Sequence, residues 1–196
     1  MTQTKTRFAS IEEFLAYDDG TNTRYELVDG VLVDMGTEST TNTIIAGFLF
    51  ATFLQLGIPA YRIGFKQMIA VSSSRVTARD PDLMVHSEGS FAAIEGLPQA
   101  LISAEAPAPL AVIEIVSPGN SGSANYNRDY LEKPQEYAAR GIPEFWRIDP
   151  ERSIVTTMKL EDGAYQSRDF RGNDAIVSQT FPNLQLTAEQ ILKAGR

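Results

Sequence analysis

No cysteine occurs in this chain of 196 residues, and there is one histidine, His86, and one tryptophan, Trp146. The first absence excludes disulfide staples, thiolate zinc sites and a cysteine nucleophile. The second leaves any Ser-His-Asp triad or multi-histidine metal site to be built on His86 alone. The metal chemistry that remains open is that of carboxylate oxygen, which suits magnesium, manganese or calcium. Positive charge is also in short supply. Seventeen Lys and Arg stand against 25 Asp and Glu, a formal net charge of −8. That excludes tight non-specific adhesion to nucleic acid, which rests on cations neutralising phosphates. It does not exclude an enzyme whose clustered carboxylates hold a cation. Long hydrophobic runs are missing as well. The longest apolar stretch, residues 44–56, is too short to span a bilayer. Residues 1–7 lack the apolar core of a secretory signal. The expectation is a cytoplasmic chain with no membrane partner.

Against this background Glu114 stands out. It sits inside Leu110-Ala111-Val112-Ile113-Glu114-Ile115-Val116, a run with the length and composition of a strand buried on both faces. A carboxylate there loses its hydration and must neutralise itself or find a cation. Two readings follow: a buried ion pair with Arg or Lys (or an edge position reaching water), and a ligand to a metal ion.

The surrounding pattern gives a single domain, 1–196, with its core at about 8–192. Ser10 and Glu13 form a capping box before a short helix reaching about Tyr17. Asp29-Gly30 between apolar runs predicts a hairpin over 24–33. Apolar residues at Ile44, Ile45, Phe48, Leu49, Phe53 and Leu56 predict a helix ended by Gly57. Its apolar surface, broadened by Phe50 and Leu54, suits a deeply buried helix or one shared with a second subunit. One or two strands are expected over 60–71, a turn at Ser72-Arg75, a strand from Asp80 to Val85, and a surface loop with one helical turn over 87–109. Ser117 to Asn125 reads as the most loop-like stretch. A helix then runs to Arg140, followed by a strand at 145–149. A C-terminal hairpin pairs 154–159 with 164–170, and a last helix is capped by Thr187. The fold class is α/β (α+β), with a central mixed β-sheet flanked by α-helices.

Three acids belong together in this frame: Glu26 on the first strand, Asp82 after Pro81, and Glu114. If the strands of Asp82 and Glu114 are neighbours, their carboxylates share one notch. A divalent ion would offset their repulsion, and without it they should take up protons. Lys133, on the following helix, is the candidate for orienting a water and stabilising charge on a phosphoryl group. Tyr137 lies one turn beyond it, as a packing residue with its hydroxyl at the edge of the site. Arg24, Arg128 and Arg140 are the candidate phosphate contacts.

Four segments together resemble a known family. They are Arg24-Tyr25-Glu26-Leu27-Val28-Asp29-Gly30, Pro81-Asp82-Leu83-Met84-Val85, Ile113-Glu114-Ile115-Val116-Ser117-Pro118, and the stretch from Arg128-Asp129 through Lys133 and Tyr137 to Gly141-Ile142-Pro143-Glu144-Phe145-Trp146. In this order they resemble the Uma-two family of restriction-endonuclease-like proteins, a branch of the PD-(D/E)XK nuclease superfamily. The resemblance implies a restriction-endonuclease-like core and magnesium- or manganese-dependent hydrolysis of phosphodiester bonds in DNA. It implies that Asp82 and Glu114 are the paired acids, that Ile115 lends a backbone carbonyl to the metal, and that Glu26 is the acid contributed near the N-terminus. The family's lysine would stand at Val116 and is relocated here to Lys133. The chain departs from the pattern in two places. The loop over 119–127 carries no charge, and Pro134 follows Lys133 directly. Two rival readings stand beside this one: a nuclease-fold binding module without catalysis, and a carboxylate-pair hydrolase of sugars. A homodimer through the 44–56 helix completes the expectations.

Overall fold

The computed structural model describes residues 7–117 and 122–196. The expectation about the extreme N-terminus concerns residues 1–7, of which 1–6 lie outside the described residues, as do residues 118–121 of the expected loop.

The chain opens with α1 (Ile11–Leu15). The Ser10 hydroxyl accepts from the Glu13 amide, and the Glu13 carboxylate accepts from the Ala9 amide at 2.7 Å. β1 (Tyr25–Val28) and β2 (Val31–Asp34) form the expected hairpin. Asp29 and Gly30 both have positive φ, 50° and 75°, as a tight primed turn requires. A Cβ on Gly30 would stand 2.6 Å from the Phe8 carbonyl oxygen, so glycine is dictated there by space as well as by torsion. α2 (Thr40–Gln55) follows, capped by Ser39. After a 3-10 turn (Ala60–Arg62) come β3 (Ile63–Gly64), β4 (Met68–Val71), β5 (Thr77–Arg79) and β6 (Leu83–Val85). The segment read as a loop holds α3 (Glu88–Ala92) and β7 (Leu101–Ile102). β8 (Ala111–Ile115) is buried along its whole length.

Next is a helical segment in three registers: α4 (Ala124–Asn127), a π-helical turn (Arg128–Glu132) and α5 (Lys133–Ala139). Pro134 accounts for the widened turn. It has no N–H, and its ring crowds the carbonyl four residues back, so the backbone loosens just before it. β9 (Glu144–Asp149), the hairpin of β10 (Ile154–Glu161) and β11 (Ala164–Phe170), and α6 (Ala188–Leu192) complete the chain.

The strands form two mixed sheets. One runs β11-β10-β9-β8-β6-β3, with β8 and β9 parallel. The other runs β2-β1-β5-β4-β7, with β4 and β7 parallel. The strand expected from Asp80 to Val85 is divided between them. β5 ends at Arg79 in one sheet and β6 begins at Leu83 in the other, so Asp80-Pro81-Asp82 is the crossing between sheets. Proline tolerates that crossing because no ladder N–H is needed there.

Alternation along β8 sets the layers. Ala111, Ile113 and Ile115 pack with Ile45, Leu49 and Phe53 of α2 and Ala188 and Ile191 of α6. Val112 packs on the opposite face with Tyr137 of α5, Phe145, and Ile69 and Ile102 of the second sheet. Leu27, Ala70 and Ala78 on the far side of that sheet meet Phe8, Ile11 and Phe14. Glu114 therefore points inward, between the sheets, beneath α5. Of the residues expected in the α2 apolar face, Ile44 instead is 38% exposed and Leu54 39%. Among the described residues no helix is long and apolar enough to cross a membrane.

Candidate active site

Asp82, Glu114, Lys133 and Glu26 line one cleft of about 380 Å³, together with Asp80, Asp129 and Arg128. The crossing between sheets supplies Asp80 and Asp82, β1 supplies Glu26, and β8 supplies Glu114. The widened helical turn and the start of α5 supply Asp129 and Lys133.

Glu114 is 4% exposed. Its Oε2 accepts from Lys133 Nζ at 2.8 Å and its Oε1 from the Tyr137 hydroxyl at 2.6 Å. Burial pushes its carboxyl up to about 8, against the pull of Lys133 and with the help of Asp82, Asp129 and Glu26. Asp82 is half-buried and its Oδ2 accepts from the Ile115 amide at 2.6 Å. Burial raises it to about 7, although that hydrogen bond and Lys133 favour the charged form. The Ile115 carbonyl accepts from the Asn42 side-chain amide at 3.0 Å.

Lys133 is itself buried. Burial alone would strip its proton, but Glu114, Glu26 and Asp129 hold it above the ordinary lysine range. Nζ lies 3.0 Å from Asp129 Oδ1 and 4.0 Å from Glu26 Oε1. Glu26 accepts from the Asp80 amide at 3.1 Å and from Arg79 at 3.2 Å. Burial works against its charge, yet Lys133 and Arg79 keep its carboxyl below the usual range. Arg79 is fully buried and grips Glu136 with two parallel bonds, 2.7 and 2.8 Å, and reaches Glu132 at 3.1 Å. It thereby ties the second sheet to the helix that carries Lys133.

Arg24 pairs with Asp80, whose other oxygen, Oδ1, is buried with no hydrogen-bond partner among the described residues. Arg128 lines the cleft and donates to Asn125 Oδ1 at 2.5 Å. Arg140 is not brought there. It donates to the carbonyls of Ser103 and Ala106, at 2.9 and 2.5 Å, and serves to pin the 103–106 loop. His86 is buried between Gln67 and Ser90, and burial lowers it to about 4, so it stays a neutral packing residue.

Sequence reasoning missed Arg79, Asp80, Asp129, Glu136 and Asn42. The spacing of Asp129 and Lys133, four apart on a helix, was a legible signal. Arg79 carried none, because its strand is three residues long and its partners are distant in sequence.

The donors are hard oxygens, with more acids than bases. Glu26, Asp80, Asp82, Glu114 and Asp129 face Lys133, Arg79 and Arg24, while Asp34 and Glu38 stand at the rim. Among the described residues no group of three or more His, Asp or Glu forms a ready-made cage. Two carboxylates and one carbonyl suit magnesium or manganese, which keep several waters and borrow substrate phosphates.

Comparisons with known proteins bear on the fold and the family. Four solved chains match. One is described as a putative nuclease belonging to DUF820, from Anabaena variabilis ATCC 29413. It is 16% identical, superposes with a TM-score of 0.68, and the match covers 94% of this chain and 98% of that one. At that identity the likeness establishes the fold. No curated protein matches. The family model Uma2, described as "Putative restriction endonuclease", matches residues 11–189, and a match over that much of the chain places it in the family: this protein belongs to the Uma2 family.

Proposed function

We propose that the protein is a magnesium- or manganese-dependent endonuclease that hydrolyses phosphodiester bonds of DNA. The observation that carries the reading is the convergence of Asp82, Glu114 and Lys133, from a sheet crossing, a buried strand and a helix, on one cleft in a nuclease fold. Asp82, Glu114 and the Ile115 carbonyl would hold the metal. When bound, the metal supplies a water acidified toward neutrality and positive charge against the scissile phosphate.

The chain's own residues account for the rest. Tyr137 fixes one Glu114 oxygen and Lys133 the other, so the carboxylate cannot swing. An ammonium has three N–H donors. Glu114 and Asp129 take two, and the third is available to orient the attacking water and stabilise charge on a phosphoryl oxygen. Glu26 supports Lys133 and Arg79 from behind. Arg128 stands at the cleft as a phosphate contact, and Arg24 offsets Asp80.

The test is nicking of supercoiled plasmid with magnesium or manganese. The wild type nicks, chelator stops it, and Asp82→Asn lowers the rate by at least roughly 100-fold, the scale of losing one electrostatic contact to the transition state. Wild-type protein that binds manganese but never nicks would favour the rival reading of a binding module. The double pairing of Lys133 with Glu114 and Asp129 is the observation on that side.

A homodimer through α2 belongs to the same proposal. Ile44, Gly47, Ala51 and Leu54 are all exposed and spaced three, four and three apart, the pattern of a helix-pairing seam. The small central pair allows close approach.

A further inference from the structure

Behind the helical segment 124–139 lies a second groove, of about 570 Å³, within the range of small-ligand clefts (roughly 300–1,000 Å³). Its chemistry is the reverse of the acidic cleft. No carboxylate lines it, in a chain of net charge −8, and Tyr126, Tyr130, Tyr165, Arg147, Gln135 and Ser167 do. Tyr126 and Tyr130 are stacked, with ring centroids 4.3 Å apart and planes 9° from parallel. The Arg147 guanidinium sits 3.8 Å from the Tyr130 centroid. Because Tyr126 covers one face of Tyr130, Arg147 must cover the other. The order is Arg147, Tyr130, Tyr126, and the stack can be extended only on the Tyr126 side. Arg147 Nε is buried with no hydrogen-bond partner among the described residues. An unsatisfied buried donor is costly, and an acceptor atom entering the groove would relieve it.

The groove is not remote from the acids. β8 and β9 place Glu114 opposite Arg147, and β9 and β10 place Arg147 opposite Thr156. Paired residues share a sheet face, so Arg147 lies one strand, about 4.8 Å, from the metal-ligand candidate. One helical turn fronts both spaces: Asn125 and Arg128 line the cleft, and Tyr126 and Tyr130 line the groove.

Resting on the nuclease reading, we propose that the Arg147–Tyr130–Tyr126 stack beside Glu114 is a platform for an unpaired base of the DNA strand held in the cleft. A base placed on the outer face of Tyr126 would continue the stack. Every base has a π-face, so the platform binds single strands without reading their sequence. No carboxylate is among the groove's lining residues, so a polyanion lying along it meets Arg147 and the tyrosines.

The experiment measures fluorescence anisotropy of a short labelled oligothymidylate and of a duplex of equal length, in chelator, where no cleavage occurs. The single strand should bind more tightly than the duplex. Tyr126→Ala should weaken single-strand binding by about tenfold and leave duplex binding unchanged, while Tyr126→Trp should retain it. Both variants should show the manganese-induced rise in melting temperature of the wild type. Equal affinity for single strand and duplex, or a Tyr126→Ala variant that binds oligothymidylate as the wild type does, overturns the platform. Tighter binding of oligouridylate overturns its assignment to DNA. A wild type that manganese does not stabilise sinks the metal-dependent reading instead, and the oligonucleotide comparison still decides the platform.

Discussion

Glu114 and Asp82 are carboxyl groups whose surroundings make them hold protons into the neutral range. Burial is the main cause in both, at about 8 and about 7. At these two groups the folded chain holds more protons than the unfolded one from about pH 4 up to those values, so their contribution to stability without divalent ions falls as pH rises through that window. A divalent ion competes with these protons, so its affinity must climb over the same range. Calorimetric titration of manganese at pH 6, 7 and 8 should show affinity increasing at each step, and a flat profile would contradict the assignment. Lys133 is the other decisive residue. Replacing it by Met leaves Glu114, Asp129 and Glu26 without their shared cation. Unpairing a buried ion costs about 3–5 kcal/mol, and urea unfolding should find the loss growing with pH, because only protons can then relieve the acids. Glu114 was legible in the sequence because a charge inside an apolar run breaks a local rule, whereas Asp82 was picked out by its place after Pro81 at a strand start and Lys133 by its place on the helix after the Glu114 strand. Of the two readings of Glu114, the structure shows the ion pair: Glu114 is paired with Lys133, and it lines the cleft with Asp82.

Among the elements, the hairpins at Asp29-Gly30 and Asp162-Gly163, α2, β8 and α6 follow from local chemistry, and the chain builds them where the pattern places them. β5 and β7 were not legible, because strands of three and two residues exist only through their neighbours in the second sheet. The π-helical turn before Pro134, like the crossing at Asp80-Pro81-Asp82, is an irregular stretch that positions site residues. Restoring the N–H with Pro134→Ala should let the segment tighten toward α geometry and stabilise the fold slightly. It should also lower the nicking rate by turning Asp129 and Lys133 away from Glu114. Nicking and thermal melting of the same preparation separate the two effects, and an unchanged rate would show that the aim of Lys133 does not depend on the widened turn. Arg79 joins the second sheet to this helix. Arg79→Met should cost about 3–5 kcal/mol in urea unfolding, through the stranded Glu26 and Glu136.

The molecule as a whole sets acids and aromatics on opposite sides of one helix. Acidic side chains collect at the cleft, and none lines the groove behind it. The exposed seam on α2 bears on assembly. Nothing lies within 4 Å of a Cβ built on Gly47, so Gly47→Lys fits the folded chain without a clash. Sedimentation should show a dimer for the wild type and a monomer for Gly47→Lys, and a monomeric wild type would remove the dimer from the account. This arrangement of layers was only partly readable beforehand. A mixed sheet with flanking helices follows from element order, whereas the second sheet depends on a chain crossing at Asp80-Pro81-Asp82 that reads locally as one strand.

The most direct measurement is a crystal soaked in manganese, with anomalous scattering collected at the metal edge. The account predicts a peak held by Asp82, Glu114 and the Ile115 carbonyl, lost in a crystal of Asp82→Asn. A cleft that stays without a peak at saturating manganese, with Lys133 still closed on Glu114, would contradict it.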